Sequence, residues 1–410
     1  MSLLSWHRGL DGEGRAAFRS SYTGFVIDAM NVQLYAFVLP TLLALWHLTP
    51  SSAGLLASTV LLAGSAGGWL AGALSDRIGR IRILRVSILW LAISTLLCGL
   101  AQNYDQLLWA RLVQGFGFGA EWAVGVVFMS EIAPSAVRGR LLGTLQSAWS
   151  VGWALAAGST ALALTWLPPE PGWRVSFALT LIPALMIFPL RLRLSDAPIF
   201  QQSATRHRWH GIFARGLRLD TLKGSLLATG AHGGYWAIAT WWPTMLRLER
   251  GLSPAQTGLH MAALVGGSLG GYGLGAWLND RAGRRATLGT FTCGGLVTVL
   301  AITRLPLSDL QLLALTPMLG LFTLGIFSTV GPVLTEIYPT PLRGSGLGFC
   351  YNVGRALAGI TPLAIGSSMA TLGFRHAIGL YVAGAYLIVL LAVVLLRETR
   401  GVDFSARQPA

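Results

Sequence analysis

Runs of about twenty apolar residues recur twelve times along this chain. A hydrocarbon layer about 30 Å thick takes roughly 20 residues of helix to cross. The runs lie at 19–46, 52–74, 83–101, 107–130, 141–166, 174–190, 220–246, 255–278, 287–304, 310–335, 345–371 and 376–396. Turn-forming segments separate them, such as His47-Leu48-Thr49-Pro50, Asn103-Tyr104-Asp105 and Pro168-Pro169-Glu170-Pro171-Gly172. The first run is too long for a signal-peptide core and holds Asp28 in its middle, so it is expected to stay in the mature protein. Composition agrees: 53% of the 410 residues are hydrophobic and 11% are charged, against roughly a quarter charged in soluble proteins. That excludes a soluble enzyme of several domains, and it excludes disorder. The expectation is an all-α membrane protein of twelve transmembrane helices.

The net charge of +14 suggests a nucleic-acid footprint until the basic residues are placed. With the N-terminus inside, 23 of the 30 Lys and Arg fall in segments expected to be cytoplasmic and 5 on the other side. Arg111 and Arg355 fall within spans. This asymmetry is the positive-inside pattern. It predicts a multi-pass inner-membrane protein with both termini cytoplasmic, in contact with lipid and not with nucleic acid. Cys98, Cys293 and Cys350 lie in apolar runs with no CxxC, and are expected as small buried hydrophobes without metal or disulfide. No Walker A sequence is present, so ATP drive is not expected, and neither is a cofactor.

The chain repeats itself. Span 2 ends in Asp76-Arg77-Ile78-Gly79-Arg80 and span 8 in Asp280-Arg281-Ala282-Gly283-Arg284, an offset of 204. Glu131-Ile132-Ala133-Pro134 recurs as Glu336-Ile337-Tyr338-Pro339 at an offset of 205. Two motifs at nearly one offset imply two parallel halves with a site between them, a transporter arrangement. The boundaries expected are a six-helix half at 1–190, a basic cytoplasmic linker at 191–219 and a second half at 220–410.

These residues resemble the major facilitator superfamily over nearly the whole chain, through the D-R-x-G-R loop that follows spans 2 and 8. The resemblance implies the twelve-helix major facilitator fold, with spans 1, 4, 7, 10 and 11 bordering a central cavity. It also implies a cytoplasmic gate at Asp76, Arg77, Arg80, Asp280, Arg281 and Arg284; the plainer reading of the loop is a charged anchor with a tight glycine turn. Arg111-Leu112-Val113-Gln114-Gly115 through Glu121-Trp122 resembles a stretch of the metabolite:proton and sialate/lactate:proton symporters. Ser195-Asp196-Ala197-Pro198-Ile199-Phe200 and Glu398-Thr399-Arg400-Gly401 resemble elements after spans 6 and 12 in related branches. Asp28-Ala29-Met30-Asn31 departs from the D-x-x-D of the sialate branch, which argues against a sialate substrate.

An ionisable group at mid-membrane costs about 2.5–3.5 kcal/mol on insertion scales and persists only when paired, hydrated or used. Asp28, Glu121 and Arg355 each fall about ten residues from a span end, roughly 15 Å deep. Asp28 and Glu121 are candidate proton carriers with Arg111 assisting; the alternatives are neutralised buried acids and a snorkelling arginine. Arg355 suits a substrate carboxylate because its fork pairs one bidentately, or it serves as counter-ion to Glu121 or Asp28. Asn31, Tyr35, Gln114 and Asn352 share helix faces with these charges, His232 of span 7 joins their layer with Tyr235 within a turn of it, and all six are expected to shape the site. A histidine such as His232 is more often a satisfied buried side chain than a ligand or proton carrier. Trp241-Trp242 reads as an interfacial aromatic belt. Gly64, Gly68 and Gly72, with Gly267, Gly271 and Gly275, read as close-packing faces for halves that rock.

The function expected is proton-coupled symport of a small organic anion, a monocarboxylate, by a monomeric protein working by alternating access. The alternatives are a transporter of a neutral or cationic metabolite, or a proton-coupled exporter. A non-transporting sensor with an added cytoplasmic domain is not expected, since about 18 residues precede span 1 and about 14 follow span 12. No nucleophile–base pair or metal cluster stands at suitable spacing for an enzyme.

Overall fold

The computed structural model describes residues 10–132, 138–196, 209–339 and 342–400. Among these the helices group into twelve: α1 (Gly12–Leu45), α2 (Pro50–Ile78), α3 (Arg80–Leu100), α4 (Tyr104–Ile132), α5 (Arg138–Gln146, continued as Ala148–Trp166), α6 (Pro169–Leu179, continued as Leu181–Leu192), α7 (Arg218–Leu248), α8 (Pro254–Arg281), α9 (Arg284–Arg304), α10 (Asp309–Gly325, continued as Phe327–Glu336), α11 (Arg343–Ala358, continued as Thr361–Leu372) and α12 (Phe374–Leu395). A short 3₁₀ turn, Trp209–Phe213, precedes α7.

Local chemistry sets the ends and breaks. Asp11 accepts from Gly14 N at the start of α1. Ser253 with Gln256 and Ser308 with Gln311 form reciprocal capping boxes on α8 and α10. Pro183 and Pro362 lack the N–H that would continue α6 and α11 through Thr180 and Ile360. Gly79 and Gly283, in the two copies of the repeated loop, adopt φ of +103° and +89°. A side chain is strained there, so each glycine fixes the reversal that starts α3 or α9.

Among the described residues eight helices (α1–α4, α6, α9, α10 and α12) hold a window long and apolar enough to cross a membrane. In the other four, small and polar residues or charges dilute the apolar run. Large apolar side chains such as Trp69, Trp166, Met186 and Val394 are exposed, as faces toward lipid would be.

The chain divides into two compact units, Met1–Leu48 with Thr59–Thr205 and Thr49–Ser58 with Arg206–Ala410. The first turns of α2 therefore pack with the second unit, where Ser58 Oγ accepts from Leu363 N at 3.1 Å. In the first unit Phe25, Val124, Phe128, Leu141 and Leu145 bring α1, α4 and α5 into one core. In the second, Leu227, Phe291, Val330, Leu334 and Val389 do the same for α7, α9, α10 and α12.

The glycine faces serve a different contact from the one expected. A Cβ on Gly119 of α4 would strike Gly64 and Gly68 of α2, and Gly267 and Gly271 of α8 abut Pro317 and Leu321 of α10. Both close approaches lie inside one unit, and Gly72 meets nothing within 4 Å. Trp241 and Trp242 are not an interfacial belt: both are buried, and Trp241 Nε1 donates to Pro362 O at 3.1 Å. Cys98 and Cys350 are buried, whereas Cys293 is exposed.

Candidate substrate and coupling site

The first unit stacks three polar layers along α4. At one end Arg111 is 2% exposed, lies 4.4 Å over the Tyr35 ring and donates to Gln114 Oε1 at 2.7 Å. Gln114 in turn donates to Thr95 Oγ1 at 2.8 Å. Gln114 is thus committed to α3 and Arg111, and Arg111 is held by ring and amide instead of snorkelling outward.

Ten residues on, Glu121 meets a partner that the sequence reading had placed in the linker. The second piece of α6 runs on to Leu192, so Arg191 is a buried helix residue. Both terminal nitrogens of Arg191 pair with the carboxylate: Nη1 reaches Oε2 at 2.9 Å and Nη2 reaches Oε1. Ser87 adds a bond to Oε2 at 2.8 Å, and Arg191 Nη1 also donates to Leu84 O. Both side chains are 1% exposed. The counter-ion of Glu121 is therefore Arg191, not Arg355. Gly24 of α1 closes the pair over, since a Cβ there would fall on Arg191 Nη2 and Glu121 Oε1. Asp28, one turn along α1 from Gly24, is 1% exposed and shares that face. Asn31 follows on the next turn and donates to Ile27 O at 2.9 Å.

The third layer lies at the end of α4. Arg80 donates to Ser75 Oγ at 2.7 Å and pairs with Glu131 Oε1 at 3.2 Å. The second unit repeats it more tightly: Arg284 grips both oxygens of Glu336, at 3.0 and 2.7 Å, and donates to Asn279 O. These two arginines are thus spent inside their own units. Two further acids complete the pattern at the starts of α3 and α9. Asp196 accepts from Ile81 N at 2.8 Å, and Glu398 accepts from Arg284 N and Arg285 N at 2.8 and 3.0 Å. Partial burial pushes the Glu398 carboxyl up, but bonds from four backbone N–H groups outweigh it and hold it below its usual range. Arg281 is exposed over the Trp277 ring. The side chains of Asp76, Arg77 and Asp280 lie outside the described residues.

In the second unit the expected residues converge. His232 of α7 stands edge-on to Tyr351 of α11, ring centroids 4.4 Å apart, and to Phe327 of α10 at 5.1 Å. Tyr235 meets Phe327 at 5.7 Å. Arg355, 2% exposed, donates to Asn352 Oδ1 at 2.8 Å. The result is an aromatic box with one buried guanidinium at its edge. Sequence reasoning found His232, Tyr235, Asn352 and Arg355 but missed Phe327 and Tyr351, which carry no polar signal of their own. It also missed Arg191, Ser87 and Gly24. The roles of Glu131 and Glu336 were available from the repeat, because Arg80 recurs as Arg284 and Glu131 as Glu336 at nearly the same offset, 204 and 205.

Twelve helices in two units, buried ion pairs within each and apolar faces outside define a polytopic membrane transporter. The chain belongs to the Major Facilitator Superfamily, whose family model matches residues 22–271 and 224–408. It is 36% identical to the "Probable 4-methylmuconolactone transporter" of Cupriavidus pinatubonensis, over 98% of this chain and 94% of that one. It is 29% identical to a cis,cis-muconate transport protein of Acinetobacter baylyi (86% and 87% covered). It is 27% identical to a niacin transporter of the same organism (92% of each covered). The inward-open xylose transporter XylE of E. coli shares the fold at a TM-score of 0.78 and 18% identity, over 95% of this chain and 97% of that one. Its relatives are transporters and not enzymes.

Proposed function

We propose that this protein is a proton-coupled symporter that carries small, planar, unsaturated organic anions across a bacterial inner membrane by alternating access, both termini inside. The observation that carries the reading is Arg355: a guanidinium buried to 2% exposure, oriented by Asn352, beside an aromatic box. A buried cation is retained where an anion or a counter-ion comes to it. Flat aromatic walls suit a flat conjugated substrate. The relatives are named for a muconolactone, a muconate and niacin, all unsaturated organic acids. A monocarboxylate is the simplest member of that class.

One coupled proton is assigned to Asp28, which shares the α1 face that Gly24 turns toward Glu121 of α4 and Arg191 of α6. Arg111, Tyr35 and Gln114 form a polar floor one layer away along α4, and Asn31 continues the Asp28 face. Arg80 and Arg284 brace the ends of α2–α4 and α8–α10, so that each unit moves as a body. The test is uptake of benzoate, nicotinate and muconate into proteoliposomes. An inward proton gradient should accelerate uptake, and a protonophore should abolish the acceleration. Arg355→Ala should reduce uptake at least ten-fold with melting unchanged. Uptake indifferent to Arg355, or to the gradient, refutes the corresponding half of the reading.

A further inference from the structure

We infer that His232 is where a coupled proton meets the substrate: Nε2 takes up the proton and, as N–H, donates to a second hydrogen-bond acceptor on the carboxylate held by Arg355. This rests on the organic-anion reading above. The ring's two nitrogens are in different states. Nδ1 lies 2.8 Å from Ala228 O. A carbonyl oxygen only accepts, so Nδ1 carries the proton, and Nε2 of the neutral ring offers a lone pair. Nε2 has no hydrogen-bond partner although the residue is 2% exposed. Such an orphan is costly unless a ligand completes it. Tyr351 and Phe327 meet the ring edge-on, which fixes its plane.

The consequence concerns substrate class. A neutral Nε2 repels an acceptor, lone pair against lone pair. An acceptor binds there only after a proton has been added, so the proton and that part of the substrate arrive together. The step is imidazole plus one proton giving imidazolium, with no bond of the substrate made or broken, and release reverses it on the other side. Among the described residues of the second unit, the charged or titratable groups facing the ring are Arg355 and Tyr351 on α11 and Tyr235 on α7 itself; α10 contributes Phe327. A carboxylate bound at Arg355 offsets its charge as the ring gains one. The class selected is a conjugated carboxylate bearing a second acceptor, such as a lactone carbonyl, a second carboxylate or a pyridine nitrogen.

Two matched pairs test this by binding to the purified full chain: nicotinate against benzoate, and cis,cis-muconate against a hexadienoate of the same geometry. Within each pair only the second acceptor differs. Between about pH 6.5 and pH 8.5, where the acids stay ionised, affinity for the acceptor-bearing member should fall about ten-fold per pH unit more steeply than for its partner. His232→Phe should remove both the acceptor preference and the extra slope. His232→Gln donates without titrating, so it should keep the preference and lose the slope. Equal slopes within both pairs in the wild type overturn the inference and leave the organic-anion reading intact, and this holds even if a variant fails to fold. Wild-type slopes retained in both variants overturn it too. Binding of none of the four acids refutes the organic-anion reading itself.

Discussion

Replacing Arg191 with Met should be among the most damaging single changes in the first unit. The pair it breaks is sealed, with both side chains 1% exposed. Glu121 receives two bonds from Arg191 and one from Ser87. After Arg191→Met only the Ser87 hydroxyl remains, and removing one partner of a buried pair costs about 3–5 kcal/mol. That loss corresponds to a melting temperature roughly ten degrees lower. The assay is thermal melting of purified protein in detergent. The double variant Glu121→Gln/Arg191→Met leaves no charge unpaired and should recover at least half the loss. Gly24→Ala attacks the same pair from α1 and should also lower the melt. A single Arg191→Met that melts like the wild type at neutral pH would refute the reasoning, and so would a double variant less stable than either single.

Two further outcomes follow from the ends of the helices. Arg284→Ala should destabilise the second unit by about 1–2 kcal/mol, because it loses charge-assisted bonds to both Glu336 oxygens; a variant that melts like the wild type would contradict this. Glu398 carries its stabilisation above its unfolded value near 4.3 and loses it as the pH falls through its lower folded value. Protection of the α9 amides at Arg284 and Arg285 against hydrogen exchange should therefore weaken on acidification below about pH 4, and Glu398→Gln should show weak protection at neutral pH already. Protection that ignores both pH and the substitution would remove Glu398 as the cap.

Much of the site was legible because it lies along single helices. Asp28 with Asn31, and Asn352 with Arg355, are spaced to share a face, and Asn352 and Arg355 are in fact bonded. The aromatic box was half legible. His232 and Tyr235 stand out beside a buried charge, but Phe327 and Tyr351 read as ordinary apolar filling until α7, α10 and α11 converge. Arg191 was obscured by a boundary. An apolar run ends where its charges begin, so a helix that carries its last arginine inward looks one turn shorter than it is.

Twelve helices and the two-fold repeat could be read along the chain, because each depends on composition within one segment or on spacing between copies of one motif. Which side chains pair was settled only by packing. Glu121 chose Arg191 over Arg355, the glycine faces closed α2 on α4 and α8 on α10, and Trp241 and Trp242 turned inward. The reason is that a buried charge is satisfied by whatever donor three-dimensional packing brings within about 3 Å, and a helix presents its glycine face to whichever neighbour lies closest. Neither distance is encoded along one helix.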